Sequence, residues 1–243
     1  MADAHLGQVP PAVASAFLAF LDEIPRPGDH LILMGDLFDF WFEYPSVIPR
    51  KHFATVAKLQ EVRSRGIPIT FVGGNHDRWG GSFFTRDIGI GFFGGEAEID
   101  LGGQRAFLAH GDGLTEQHWS GKVMHRFTRN PLTIAVFRIL HPTIGFWIAD
   151  LFSRYLADNT KDQAVLDRAA AAQRRWAADL LARRPDVGLV VMAHTHRPVV
   201  DRQADGRSYV NPGAFLDGGR YAVITKEGGA ELKQFTAGRL QPA

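Results

Sequence analysis

The sequence predicts an α/β fold: one domain over residues 1–243, carrying a helical insertion at about 114–185. Three observations predict it. Apolar runs of strand length recur, and each is followed at once by a tight cluster of Asp, Asn, His and Gly. Segments with apolar residues at helical spacing alternate with the first of these runs. A chain of 243 residues with 45% apolar content is long enough for one packed core and an insertion.

The elements follow in order. Pro11 to Ile24 reads as a helix, because Val13, Phe17, Leu18, Phe20, Leu21 and Ile24 recur at helical spacing and Pro25, Pro27 and Gly28 end it. His30–Met34 is a short apolar run, hence a buried strand. His52–Arg65 is a second helix, closed by Gly66, and Ile67–Val72 a second buried strand. Ala97–Leu101 and Arg105–Ala109 form a hairpin around Gly102-Gly103. Lys161–Arg184 is an Ala-rich helix ended by Pro185, and Leu189–Ala193 a buried strand. Ser208–Val210, Tyr221–Thr225 and Glu231–Phe235 are strands joined by Gly-rich turns.

Composition narrows the function classes. The net charge of +1 lacks the basic excess of a nucleic-acid binder. Cysteine is absent, so there is no disulfide framework and no thiolate ligand, in keeping with a reducing, cytoplasmic compartment. No uncharged apolar run reaches 18 residues, so no transmembrane helix is expected. No signal peptide is visible, since the first candidate ligand stands at residue 3.

Five motifs carry the chemistry: Asp3-Ala4-His5, GDLFD at Gly35–Asp39, GNHD at Gly74–Asp77, HGD at His110–Asp112 and HTH at His194–His196. Each is weak alone. Four of them stand just past an apolar strand, on the sheet edge where open α/β folds bind ligands. The first lacks such a strand, because only Met1 and Ala2 precede Asp3. Either the start lies too late or the native protein lacks that strand; a missing strand would weaken the hold on Asp3 and His5.

Asp3, His5, Asp36, Asn75, His110, His194 and His196 make a mixed nitrogen and oxygen donor set. Such sets favour Mn, Fe or Zn over Ca. A phosphodiester repels an incoming hydroxide, and two divalent ions about 3.5–4 Å apart overcome this by activating water and neutralising the phosphate. In an extended segment His194 and His196 point to the same side. Asp36 is read as a ligand with a catalytic role rather than a turn or cap residue. Asp39 and Asp112 are read as hydrogen-bonding supports beside the ligands. His76 is a general acid or phosphate contact, or else a hydrogen-bonded turn residue. Arg78 is a phosphate contact or a surface ion pair.

The stretch from His118 to Arg154 differs from the rest. It holds Lys122, Arg126, Arg129, Arg138 and Arg154 against one acid, Asp150, and is rich in aromatics that include Phe137 and Trp147. Those aromatics are either core or a lid over acyl chains, with Lys122, Arg126, Arg129 and Arg154 near anionic heads.

At these motifs the chain resembles the calcineurin-like metallophosphoesterases, and within them the UDP-2,3-diacylglucosamine pyrophosphatases of lipid A biosynthesis. The narrower resemblance rests on DAHLG at Asp3–Gly7, GDLFDFWFEY at Gly35–Tyr44, GNHD, HGDG at His110–Gly113, HTHRP at His194–Pro198 and the basic, aromatic insertion. It implies a four-layer α/β/β/α sandwich. It implies Asp3, His5, Asp36 and His196 around one ion and Asn75, His110 and His194 around another, bridged by Asp36, with Mn²⁺ the usual metal. The implied reaction releases UMP and 2,3-diacylglucosamine 1-phosphate, at the inner-membrane surface and without a protein partner. Residue 76 departs from part of that family, where Arg occurs. A soluble nucleotide phosphodiesterase on the same site, and a non-catalytic scaffold, are the alternatives.

Overall fold

The computed structural model describes residues 1–101, 103–114, 126–159, 163–226 and 228–236, with side chains excepted over 152–159. Lys122 therefore lies outside the described residues, as does the side chain of Arg154.

Two sheets form the centre. In the first, β1 (Leu31–Leu33), β2 (Ile69–Val72) and β3 (Gly91–Phe93) run parallel in that order. In the second, β4 (Glu96–Leu101), β5 (Gln104–Ala109), β6 (Val187–Met192), β7 (Val199–Arg202) and β8 (Ser208–Asn211) take the order β4-β5-β6-β8-β7. Here β5, β6 and β8 are parallel, and β4 and β7 are antiparallel edges. A hairpin of β9 (Arg220–Ile224) and β10 (Ala230–Gln234) completes the strands described.

Helix α1 (Pro11–Glu23) starts on a proline, whose missing N–H costs nothing in a first turn. Helix α2 (Phe53–Ser64) follows a 3₁₀ turn at Arg50–His52, and α3 (Phe83–Arg86) is a single turn. Between β5 and β6 lie α4 (Pro131–Ile139), α5 (Pro142–Asn159) and α6 (Gln163–Arg183). Helix α4 is capped by the Asn130 side chain, which accepts from Leu132 N at 2.8 Å.

Strand periodicity explains the layering. Side chains alternate across a strand. Leu31, Leu33, Ile69 and Phe71 pack with Phe17, Phe20, Leu21, Val56 and Leu59 of α1 and α2. The opposite face, with Ile32 and Val72, joins Ala106, Leu108, Leu189, Val191 and Val210 in an apolar layer between the sheets. Phe107, Ala109, Val190 and Met192 face Ala177 and Leu181 of α6. Three apolar layers thus separate four layers of elements, in the order helix, sheet, sheet, helix.

The segment Met1–Leu6 needs no named strand to hold it. Met34 N donates to Met1 O at 2.9 Å, Asp3 N to Gly35 O at 3.0 Å and His5 N to Asp36 O at 2.9 Å. From the other side Phe215 N donates to Ala2 O at 2.8 Å. The expected loss of support for Asp3 is corrected accordingly: main-chain bonds on both flanks fix it.

Helices α4 and α5 dock on the Phe40–Tyr44 segment. Phe137 packs on Phe42 with ring centres 4.8 Å apart, and Phe146 on Phe40 at 5.4 Å. Trp79 Nε1 donates to Thr128 O at 3.1 Å. Phe137 is therefore packed, whereas Trp147 is 64% exposed.

Candidate metal centre

Parallel pairing brings the motif loops together. Because β1 and β2 run side by side, GDLFD and GNHD emerge as neighbours, and β5 and β6 do the same for HGD and HTH. At the shared edge, Asp36 Oδ2 lies 3.3 Å from His110 Nε2, 3.7 Å from His5 Nε2 and 3.9 Å from His76 Nε2. Asp3 Oδ1 lies 3.5 Å from His196 Nε2 and 3.9 Å from His110 Nε2.

Three groups have ligand atoms within 4.8 Å of one another: Asp3, His5 and His196; Asp36, His110 and His194; and His5, Asp36 and His76. The first two can each hold an ion, and Asp36 reaches residues of both. The third adds His76 beside them. Among the described residues, Asp3, His5, Asp36, His194 and His196 are the non-glycine positions with positive φ, at 51°, 45°, 49°, 70° and 55°. Left-handed backbone at such residues costs about 1 kcal/mol or more each and persists where the surroundings impose it, commonly at functional sites. All five are candidate ligands.

The donor set fits divalent ions. Asp3 Oδ1, Asn75 Oδ1 and His110 Nε2 are buried without a hydrogen bond of good geometry. A buried polar atom left so costs about 1–3 kcal/mol, and each of the three is a ligand atom for a hard or borderline cation. The remaining valences are used. His110 Nδ1 donates to Met34 O at 2.8 Å, which turns Nε2 toward the Asp36 carboxylate 3.3 Å away. His194 N donates to Asp3 Oδ2 at 3.2 Å, and His76 N to Asp36 Oδ1 at 3.0 Å. Asp217 Oδ2 stands 3.4 Å from His196 Nδ1 and orients that ring.

Burial pushes His5 down to about 4 and lowers His194, so both imidazoles are neutral and ready to ligate. Burial also acts on His110, but the Asp36 and Asp3 carboxylates outweigh it and hold His110 well above the ordinary histidine range. His196 is raised likewise, burial being outweighed by Asp3. Against burial, His110 keeps Asp36 well below the usual carboxylate range. Without metal, the Asp36 and Asp3 carboxylates favour the protonated form of His110, and Asp3 that of His196. An ion needs those imidazoles neutral, so uptake must release protons and affinity must rise with pH. Calorimetric titration with Mn²⁺ in two buffers of different ionisation heat should show about one proton or more released near neutral pH; zero release would contradict the protonation described.

Supporting residues divide into those the sequence indicated and those it did not. Asp112 pairs with the buried Arg78, and Arg129 lies 3.7 Å from Asp112. Arg78 is thus not a surface ion pair: it is buried against Asp112. A cavity of about 420 Å³ is lined by these residues together with Trp79, His110 and Ile134. Arg126 is exposed. Asp39 supports the site less directly than expected: its carboxylate faces Lys51 and, at 3.2 Å, His52. Its carbonyl accepts from His76 Nδ1 at 2.6 Å, which turns Nε2 of His76 toward Asp36. Asp77 was legible only as the end of GNHD. It is fully buried and accepts from the N–H groups of Asp36, Leu37, Phe38 and Gly74, tying the two loops together. Burial and the Asp36 charge push it up to about 6. His52 and Asp217 carried no local sequence signal.

The calcineurin-like phosphoesterase profile matches residues 1–198, a span that begins before Asp3 and ends just past His196. The chain belongs to the calcineurin-like phosphoesterases. It is accordingly a metal-dependent hydrolase of the α/β class. This phosphoesterase is similar to the UDP-2,3-diacylglucosamine hydrolase of Porphyromonas gingivalis, 30% identical over 241 residues that cover 91% of each chain. It is 31% identical over 220 residues to the hydrolase of the same name from Pectobacterium atrosepticum, covering 86% of this chain and 85% of that one. With that of Aeromonas salmonicida it shares 29% over 248 residues, covering 100% and 95%.

Proposed function

We propose that this phosphoesterase cleaves the diphosphate of UDP-2,3-diacylglucosamine, releasing UMP and 2,3-diacylglucosamine 1-phosphate, with Mn²⁺ as its metal. The relatives' shared substrate name supports the nucleotide half. The observation that carries the lipid half is the apolar surface of the insertion. Leu132, Val136 and Ile139 on α4 are 72%, 53% and 86% exposed, and Trp147 and Leu151 on α5 are 64% and 55% exposed. Apolar exposure of this kind marks a partner or membrane surface. Among the described residues no helix is long and apolar enough to cross a membrane, so contact at the inner-membrane surface is the reading proposed.

In this reading residues at about 114–185 act as a lid on a single domain. Asp3, His5, Asp36 and His196 hold one ion, and Asn75, His110 and His194, with Asp36, the other. When bound, the two ions supply an activated water and neutralise the attacked phosphate. His76, fixed through Nδ1 by the Asp39 carbonyl, presents Nε2 to the phosphate or the leaving oxygen. The Arg78–Asp112 pair and Arg129 line the cavity beside His110, where they order a bound anion. A second cavity of about 520 Å³, lined by Gly7, Lys51, Phe146, Trp147 and Asp150, leaves room for an apolar part of the substrate.

Trp147→Ala tests the lipid half. An exposed side chain contributes little to folding, whereas an aromatic buried by an acyl chain contributes about 1.5–3 kcal/mol. Turnover of the diacylated substrate should fall roughly tenfold or more, with hydrolysis of bis(p-nitrophenyl) phosphate unchanged. Equal losses on both substrates would favour a soluble nucleotide phosphodiesterase. Phe137→Ala differs, since it opens a void against Phe42 and should lower stability as well.

A further inference from the structure

Helix α6 carries one polar residue on its buried face. Gln173, Ala177 and Leu181 follow one another at four-residue spacing, and all three are buried. Burying an unpaired amide costs about 1–3 kcal/mol, so the pairing of Gln173 shows what it does. Its Nε2 donates to Ala193 O at 3.2 Å. Its Oε1 accepts from Thr195 Oγ1 at 3.3 Å and from Tyr209 OH at 3.3 Å. Ala193 and Thr195 alternate with the two histidines of HTH, whose backbones are left-handed at 70° and 55°. Asn211 Nδ2 bonds the same two groups from β8, to Ala193 O at 3.3 Å and Thr195 Oγ1 at 3.1 Å.

The amide touches the HGD loop too. Gly111 has φ of +112°, and a Cβ there would run into Nε2 of Gln173 and lie 3.4 Å from Met192 Cε. The absent side chain at 111 is what lets the amide fit between the loops that carry His110 and His194.

We propose that Gln173 is a positioning residue for the metal centre: from the helix that closes the insertion, it fixes the strained HTH loop and sets it against the HGD loop. This rests on the two-ion reading given above. The interaction is local and buried, so it acts on ligand geometry and not on substrate contact. A residue with that role alters metal affinity by about 10–100-fold when removed.

The test uses the metal-stripped full-length chain, titrated with Mn²⁺ by calorimetry well below the melting temperature. Gln173→Met keeps length and removes all three hydrogen bonds. It should bind Mn²⁺ about 10–100-fold more weakly, and excess Mn²⁺ should restore its turnover toward wild type. Thr195→Val, nearly isosteric, should weaken binding in the same direction and stands in should Gln173→Met fail to fold. Arg174→Ala, on the exposed side of the same helix, should bind as wild type. Asp36→Ala separates the two readings. If Asp36→Ala loses metal while Gln173→Met and Thr195→Val keep wild-type affinity, the positioning role is wrong. Were Asp36→Ala also to bind as wild type, the two-ion reading would fail and the role of Gln173 with it. A turnover defect in Gln173→Met that excess Mn²⁺ leaves untouched would likewise overturn the proposal.

Discussion

Asp36→Ala should abolish hydrolysis, with turnover falling on the order of 10³-fold or more, equivalent to ~4 kcal/mol of barrier. The reason is geometric. One carboxylate oxygen stands within 3.9 Å of His5, His76 and His110, so its loss disturbs both ligand groups at once. Asp39→Ala should cost only about 10-fold, the lower end for a residue that acts through another. Its carboxylate faces Lys51 and His52, and the carbonyl that orients His76 survives the substitution. Steady-state kinetics on the two variants, each checked for folding by circular dichroism, decides the matter; equal losses would contradict the roles given to these aspartates.

Gly74→Ala is the second large effect. A Cβ at residue 74 would lie 2.8 Å from the backbone N of Asp36 and run into its carboxylate. Backbone cannot step aside as a flexible side chain can, so the GDLFD loop must move. Overpacking of this kind costs about 1–3 kcal/mol of stability, and a shift of about 1 Å in a catalytic group costs roughly 10²-fold in rate. The substitution should therefore lower metal affinity and turnover together while the protein still folds. A melting curve and a metal titration on the same sample separate the two; wild-type affinity in a folded variant would contradict the close approach described.

The strands that place the site were legible because they are buried on one or both faces and short, which makes them continuous apolar runs. His30–Met34, Ile67–Val72 and Leu189–Ala193 correspond to β1, β2 and β6 within two residues at either end. Strand β3 escaped notice because it is only Gly91–Phe93, with half-buried to exposed side chains and glycines at its borders. Strand β7, an antiparallel edge with Asp201 and Arg202, lacks the apolar signature. Within the site, the seven candidate ligands were legible as motifs, since chemistry limits which residue types can hold such ions. The left-handed backbones of five of them were not, because nothing in Asp3, Asp36 or His196 announces a positive φ. The supports were least legible of all. His52 meets Asp39 at 3.2 Å from a helical turn, and Gln173 meets Thr195 from the helix that closes the insertion, so both depend on tertiary packing.

The aromatic insertion shows the same division at the level of single residues. Core and lid were alternatives for the whole stretch, yet Phe137 packs on Phe42 and Trp147 stands open to solvent. Helical spacing alone could not separate them, because the residue against which Phe137 packs lies nearly a hundred positions away in the chain.

The most direct measurement is product analysis after incubating the purified, metal-stripped protein with UDP-2,3-diacylglucosamine, with and without added Mn²⁺, and with Asp36→Ala in parallel. UMP and 2,3-diacylglucosamine 1-phosphate should appear in equal amounts only in the wild-type sample with Mn²⁺, and chelator should stop their formation. Hydrolysis that continues after confirmed removal of metal, or a metal-loaded protein that cleaves bis(p-nitrophenyl) phosphate yet releases no UMP, would contradict the account.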